Sequence, residues 1–158
     1  MNYVIDTNVL VAANGHATHL SGNEELICIN FLSQVIQNQD CISWDSSMLI
    51  YKEYNTKCNH SGNSGVGDKF FRWLFQNQGV TSICEFVEIT ENGETFEEFP
   101  DDLELHGFDI SDRKFVAVAI KSNFKPMIVN ATDFDWHEYR EPLSKYVQVH
   151  QICPHIFL

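Results

Sequence analysis

Short apolar runs that stop abruptly at polar or acidic positions recur along this chain. Tyr3-Val4-Ile5 runs into Asp6-Thr7-Asn8, Cys41-Ile42-Ser43-Trp44 into Asp45-Ser46, and Pro126-Met127-Ile128-Val129 into Asn130-Ala131-Thr132-Asp133. Apolar runs this short that do not alternate with polar residues suit strands buried on both faces, as parallel sheets require. Helix-period segments lie between them. The pattern predicts an α/β fold, a three-layer α/β/α arrangement around a mainly parallel central sheet. At 158 residues the chain fits a single domain, residues 1–158.

Local signals place the elements. Val9 to Ala13 reads as a first helix that Asn14-Gly15 ends. Asn23-Glu24-Glu25 opens a second helix through Asn38, and Asp45 or Ser46 caps a third that carries Leu49, Ile50, Glu53 and Tyr54. Residues 59–67 are a polar, glycine-rich loop, and residues 68–76 a helix rich in Phe and Trp. Residues 82–90 read as a strand, and Asn92-Gly93 carries a hairpin signal within the acidic stretch from Glu85 to Glu104, predicting an acidic β-hairpin insertion. Ser111-Asp112 caps an apolar helix over residues 115–120, residues 133–146 contain another helix, and residues 147–152 form a last strand before Pro154.

Four carboxylates stand where a carboxylate is costly. Asp6 closes the first buried strand, and in open α/β sheets ligands bind beyond the carboxyl ends of strands. Asp133 follows the strand ending at Val129, and Asp135 faces the same side if that segment is extended. Glu53 shares the helix stripe of Leu49 and Ile50, so its charge must be paired or bind a cation. Asp112 sits in the first turn of the apolar helix, where the helix dipole alone could account for it. Asp6 and Asp133 could likewise be simple caps. Converging acids with few basic partners repel one another, and oxygen-only ligands favour Mg²⁺ or Mn²⁺ over zinc.

Val4-Ile5-Asp6-Thr7-Asn8-Val9-Leu10, Glu53 within Tyr51-Lys52-Glu53-Tyr54, Asp112-Arg113-Lys114-Phe115-Val116-Ala117-Val118-Ala119, and Val129-Asn130-Ala131-Thr132-Asp133-Phe134-Asp135-Trp136 resemble, in order, the four acidic motifs of the PIN-domain family. The resemblance implies a PIN-like domain and a metal-dependent endonuclease of single-stranded nucleic acid, RNA before DNA, using Mg²⁺ or Mn²⁺. Asp6, Glu53, Asp112 and Asp133 are then catalytic metal ligands, Asp135 a supporting ligand, and Thr7 or Asn8 hydrogen-bonds a ligand or water. Many family members are toxins paired with an antitoxin. A PIN-like scaffold that binds a partner protein and cuts nothing is the rival reading from another class.

Charge speaks for that rival. Ten Lys and Arg against 22 Asp and Glu leave a formal net charge of −12, whereas nucleic-acid binders usually carry a basic footprint. Bound cations can reverse the local field at one site. Lys52, Lys57, Lys69 and Arg72 form a candidate phosphate-guiding rim, and Arg113 is a further candidate for substrate binding; a solvated face is the plain alternative. The acidic stretch reads as a solvated hairpin and loop or, more sharply, as a dock for a basic partner such as an antitoxin tail, and Phe70, Phe71, Trp73 and Phe75 belong to the core or a homodimer contact. The segment 62–69 approaches a P-loop, but Asp68 intrudes before Lys69 and no strand precedes it. Five cysteines lack CxxC spacing and read as reduced thiols of a cytoplasmic protein. Neither a signal peptide nor a run of membrane-spanning length is visible, so no membrane partner is expected.

Overall fold

The computed structural model describes residues 1–17, 20–59 and 65–158. Strands β1 (Asn2–Ile5), β2 (Cys41–Asp45), β3 (Cys84–Val87), β6 (Met127–Asn130) and β7 (Val149–Gln151) form one parallel sheet in the order β3-β2-β1-β6-β7. β4 (Glu91–Asn92) and β5 (Thr95–Phe96) make the expected antiparallel hairpin, with Gly93 at φ +63° in its turn.

The chain builds outward from β1 to β2 and β3, then returns to the other side of β1 for β6 and β7. Right-handed crossovers therefore put the two sets of helices on opposite faces. Helices α1 (Thr7–Ala13), α2 (Gly22–Asn38) and α4 (Val66–Asn77) pack on one another, while α5 (Arg113–Lys121) lies across β2, β1 and β6. This is the three-layer α/β/α arrangement. Phe115, Val116, Ala117 and Val118 of α5 are all fully buried, which explains a helix without a polar face over that stretch. Helix α3 (Leu49–Lys57) contacts α1, β2 and α5.

Asp45 supplies the α3 cap, its two carboxylate oxygens accepting from the Leu49 and Ile50 amides at 2.8 and 2.9 Å. Buried Gly67 seats α4 on α1: a Cβ there would lie 2.2 Å from the Leu10 carbonyl oxygen. Of the P-loop-like segment 62–69, residues 62–64 lie outside the described part of the chain, but Asp68 is described. Its carboxylate accepts from the Gly65 and Asn59 amides and from Asn14 Nδ2, so it fixes the start of α4.

Two expected elements are shorter. The strand over residues 82–90 contracts to Cys84–Val87, because β2 offers a partner only as far as Asp45, which pairs with Val87. The helix expected within residues 133–146 is two, α6 (Phe134–Glu138) and α7 (Arg140–Leu143). Pro142 has no N–H to donate to the Glu138 carbonyl, so one continuous helix cannot run through. Among the described residues no helix is long and apolar enough to cross a membrane.

Candidate metal centre

The strand order reverses direction at β1, so a crevice opens between the carboxyl ends of β1 and β6, the usual ligand address of such sheets. Asp6 follows β1 and Asp133 follows β6. Asp112, at the start of α5, completes a group in which one carboxylate oxygen from each residue lies within 4.8 Å of the others. The three acids sit in a cleft of about 440 Å³ lined also by Thr7, Asn8, Glu53 and Ser111.

Each acid is held differently. Asp6 is buried; one oxygen accepts from the Asn8 amide at 2.9 Å as the α1 cap, and the other from Trp136 Nε1 at 2.6 Å. Asp133 caps α6 through the Asp135 amide at 2.9 Å. The plain capping roles of Asp6 and Asp133 are therefore real and coexist with their convergence. Asp112 stands at the N-cap of α5, yet its carboxylate makes no cap hydrogen bond, and its Oδ2 is buried without a partner among the described residues. Helix capping does not account for it.

Electrostatics follow from the crowding. Burial pushes Asp112 up to about 9, with the charges of Asp6, Asp133 and Asp109 adding to the rise and Lys114 opposing it. Asp6 is pushed up to about 7, chiefly by burial and further by Glu53 and Asp133, against the hydrogen bonds from Asn8 and Trp136. Burial and crowding thus favour the protonated form of both carboxyls.

Glu53 is brought to the cleft but not into the three-acid group. Its two oxygens are engaged: Thr7 Oγ1 donates to Oε1 at 2.5 Å, and Lys114 Nζ forms an ion pair with Oε2. Glu53 is half-buried rather than buried, and its charge is paired with a lysine. Thr7 thus supports Glu53. Asn8 fixes the β6 loop, its Oδ1 accepting from the Ala131 amide at 2.9 Å and its Nδ2 donating to Asn130 Oδ1 at 2.7 Å. Asp135 joins no common group with Asp6 and Asp133, because the segment is helical and not extended; it belongs instead with Asp109 and Asp112, one oxygen of each within 4.8 Å.

The cationic candidates fare unequally. Lys57 lines the cleft with His16, whereas Lys52, Lys69 and Arg72, all exposed on α3 and α4, do not line it. Arg113 is committed to structure: Nη2 donates to the His106 carbonyl at 2.9 Å, Nε and Nη2 reach the Phe108 carbonyl, and the guanidinium lies 4.8 Å over the Phe99 ring. Phe70 and Phe71 are core residues, and Phe75 is 39% exposed. The acidic stretch is not all solvated either. Glu85 accepts from the hydroxyls of Ser43 and Ser122, and Lys145 pairs with Asp102 and Glu104. All five cysteines are unpaired and buried.

Sequence reasoning missed two positioning residues and the partner of a third. Trp136 offers an indole N–H that must find an acceptor when buried, and that signal could have paired it with a nearby acid. Buried Asn130 donates to the Asp133 carbonyl and to Gln151, and no local pattern marks it. Lys114 was visible beside Asp112, but its partner on α3 was not. Comparison with models of known protein families, with curated proteins and with solved structures finds no match.

Proposed function

We propose that this protein is a PIN-like nuclease that binds Mg²⁺ or Mn²⁺ at Asp6, Asp112 and Asp133 and hydrolyses phosphodiester bonds of single-stranded nucleic acid, RNA in preference to DNA. The observation that carries the reading is Asp112. It is a buried carboxylate with one oxygen that accepts nothing, on a residue where two more carboxylates converge. Leaving such an oxygen bare costs stability unless something binds it. Three oxygen ligands with no imidazole or thiolate suit a hard divalent cation, so the residues fit the ion that the family resemblance implies.

A bound ion of this kind supplies charge neutralisation for phosphoryl oxygens and lowers the pKa of water, the two needs of phosphodiester hydrolysis. The protein's own groups do the rest. Trp136 and the Asn8 amide orient the Asp6 carboxylate, and Asn8 and Asn130 hold the loop that presents Asp133. Lys114 and Thr7 fix Glu53 at the rim, where it faces the cleft as part of an ion pair. His16 and Lys57 line the mouth and supply donors for a phosphate oxygen. A net charge of −12 favours the rival scaffold reading, but a scaffold has no use for a bare buried carboxylate.

The test is incubation of the full chain with labelled single-stranded RNA and DNA of one sequence, with Mn²⁺, Mg²⁺ or EDTA, beside Asp6→Asn and Asp112→Asn. Metal-dependent cutting lost in both variants supports the nuclease, and the preferred strand decides RNA against DNA. Absence of both cutting and calorimetric Mn²⁺ binding in the wild type would remove the reading. Metal binding without cutting would favour the scaffold.

A further inference from the structure

We infer that Cys28 and Cys153 form a redox-active dithiol, which a hydroperoxide converts to a disulfide joining the segment after β7 to α2. Both thiols are fully buried, and the Cys28 thiol donates a hydrogen bond to the sulfur of Cys153. A second contact fixes the same facing. Glu24 and Cys28 stand four residues apart on one face of α2, and His155 Nε2 lies 2.6 Å from Glu24 Oε1. His155 follows Cys153 by two residues, so the acid–imidazole contact and the thiol pair run side by side between the same two segments. The other thiols are placed differently. In the β2–β3 register Cys84 pairs with Ile42, so Cys41 and Cys84 lie on opposite faces of the sheet, and Cys58 accepts from Asn14 Nδ2 at 3.6 Å.

The surroundings set which sulfur reacts first. The hydrogen bond from Cys28, with His155 nearby, holds the Cys153 thiol below its usual range against the effect of burial, whereas the same bond and burial push Cys28 up. Cys153 is therefore the attacking thiolate. It attacks one peroxide oxygen, the O–O bond breaks, and the departing oxygen leaves with the proton that Cys153 released, so Cys153 becomes a sulfenic acid. Cys28 then gives up its proton and attacks that sulfur; the S–S bond forms, the S–O bond breaks, and the hydroxide leaves with that proton as water. The two electrons lost by the sulfurs reduce the peroxide. Access comes through the 3₁₀ turn Pro154–Phe157 that follows Cys153. None of its residues is buried and the His155 side chain is 46% exposed, so the turn opens locally at small cost. Joining Cys153 to α2 fixes the start of a turn whose Phe157 packs against Phe134 and His137 of α6.

The experiment titrates the fully reduced chain with hydrogen peroxide, alkylates the remaining thiols in denaturant and maps the peptides by mass spectrometry. The expected product retains three of the five thiols and carries a Cys28–Cys153 link that dithiothreitol reverses. Because that link closes most of the chain into one loop, the oxidised protein should melt about 10 °C above the reduced one. Cys153→Ser should lose both the link and the shift, and Cys41→Ser should keep both. Should Cys153→Ser fail to fold, the wild-type peptide map decides alone. A link between any other pair, sulfinic acid at Cys153 without a link, or five thiols still free after peroxide would overturn the proposal. None of these outcomes bears on the nuclease reading, which is tested separately.

Discussion

Two buried aspartates in this molecule have opposite surroundings. Asp68, 3% exposed, accepts from two backbone amides and the Asn14 side chain; Asp112, 6% exposed, sits at a helix N-cap and accepts from none. Both are acids at the start of a helix packed into the core. On the proposed reading, what separates a structural carboxylate from a functional one is the supply of donors around it. Burial does not distinguish them. Asp68 is satisfied by hydrogen bonds within its own fold, whereas the group around Asp112 is assembled from more carboxylates, which protons or, on the proposed reading, a divalent cation would reconcile.

Substitutions should pull the pair apart. Asp112→Asn should lower cleavage by roughly 10³-fold, the several kcal/mol of charge stabilisation that a bound ion gives a phosphoryl group. The same change should leave the metal-free protein as stable as before or more so, read by thermal melting. Asp68→Ala should do the reverse. It strands donors at the start of α4 and should cost about 2–4 kcal/mol in denaturant unfolding, with cleavage by the surviving folded fraction retained. Equal stability losses in the two variants would erase the contrast.

Trp136→Phe tests the support of Asp6. Loss of the Nε1 hydrogen bond should weaken Mn²⁺ binding about 10- to 100-fold in calorimetry, with little change in fold by circular dichroism. The smallest effect concerns pH. Asp6 and Asp112 have folded-state values raised above the ordinary carboxyl range, so the folded protein holds protons that the unfolded chain releases. Their contribution to metal-free stability is therefore full below the unfolded value near 4 and declines as pH rises toward 7 and 9. Mn²⁺ should raise the melting temperature more at pH 8 than at pH 5. A metal-induced shift that is larger at pH 5 would contradict this.

Much of this arrangement can be read from the chain itself. Asn14-Gly15 and Asn92-Gly93 carry their turn chemistry locally, and the apolar runs at 3–5, 41–44 and 126–129 are strands because no other role suits them. Asp6 and Asp133 are legible as strand-end acids for the same reason. What is not legible depends on partners distant in sequence. The fate of Glu53 is set by Lys114 on another helix, and that of Arg113 by carbonyls in the preceding loop. The strand over residues 82–90 is cut short by the length of its neighbour, not by its own composition. Asp109 escapes notice because its tie to Asp112 and Asp135 exists only once the loop and α6 are folded together.

The close seating of α4 on α1 at Gly67 bears on which positions can tolerate mutation. A methyl group there would collide with the carbonyl of Leu10 and the side chain of Asn14, both on the helix whose opposite end begins at Asp6. The first helix is only seven residues long, so it has little slack to absorb a push. A position with no chemistry of its own should therefore be among the least permissive in the chain. A screen scored on activity alone would mistake it for part of the site.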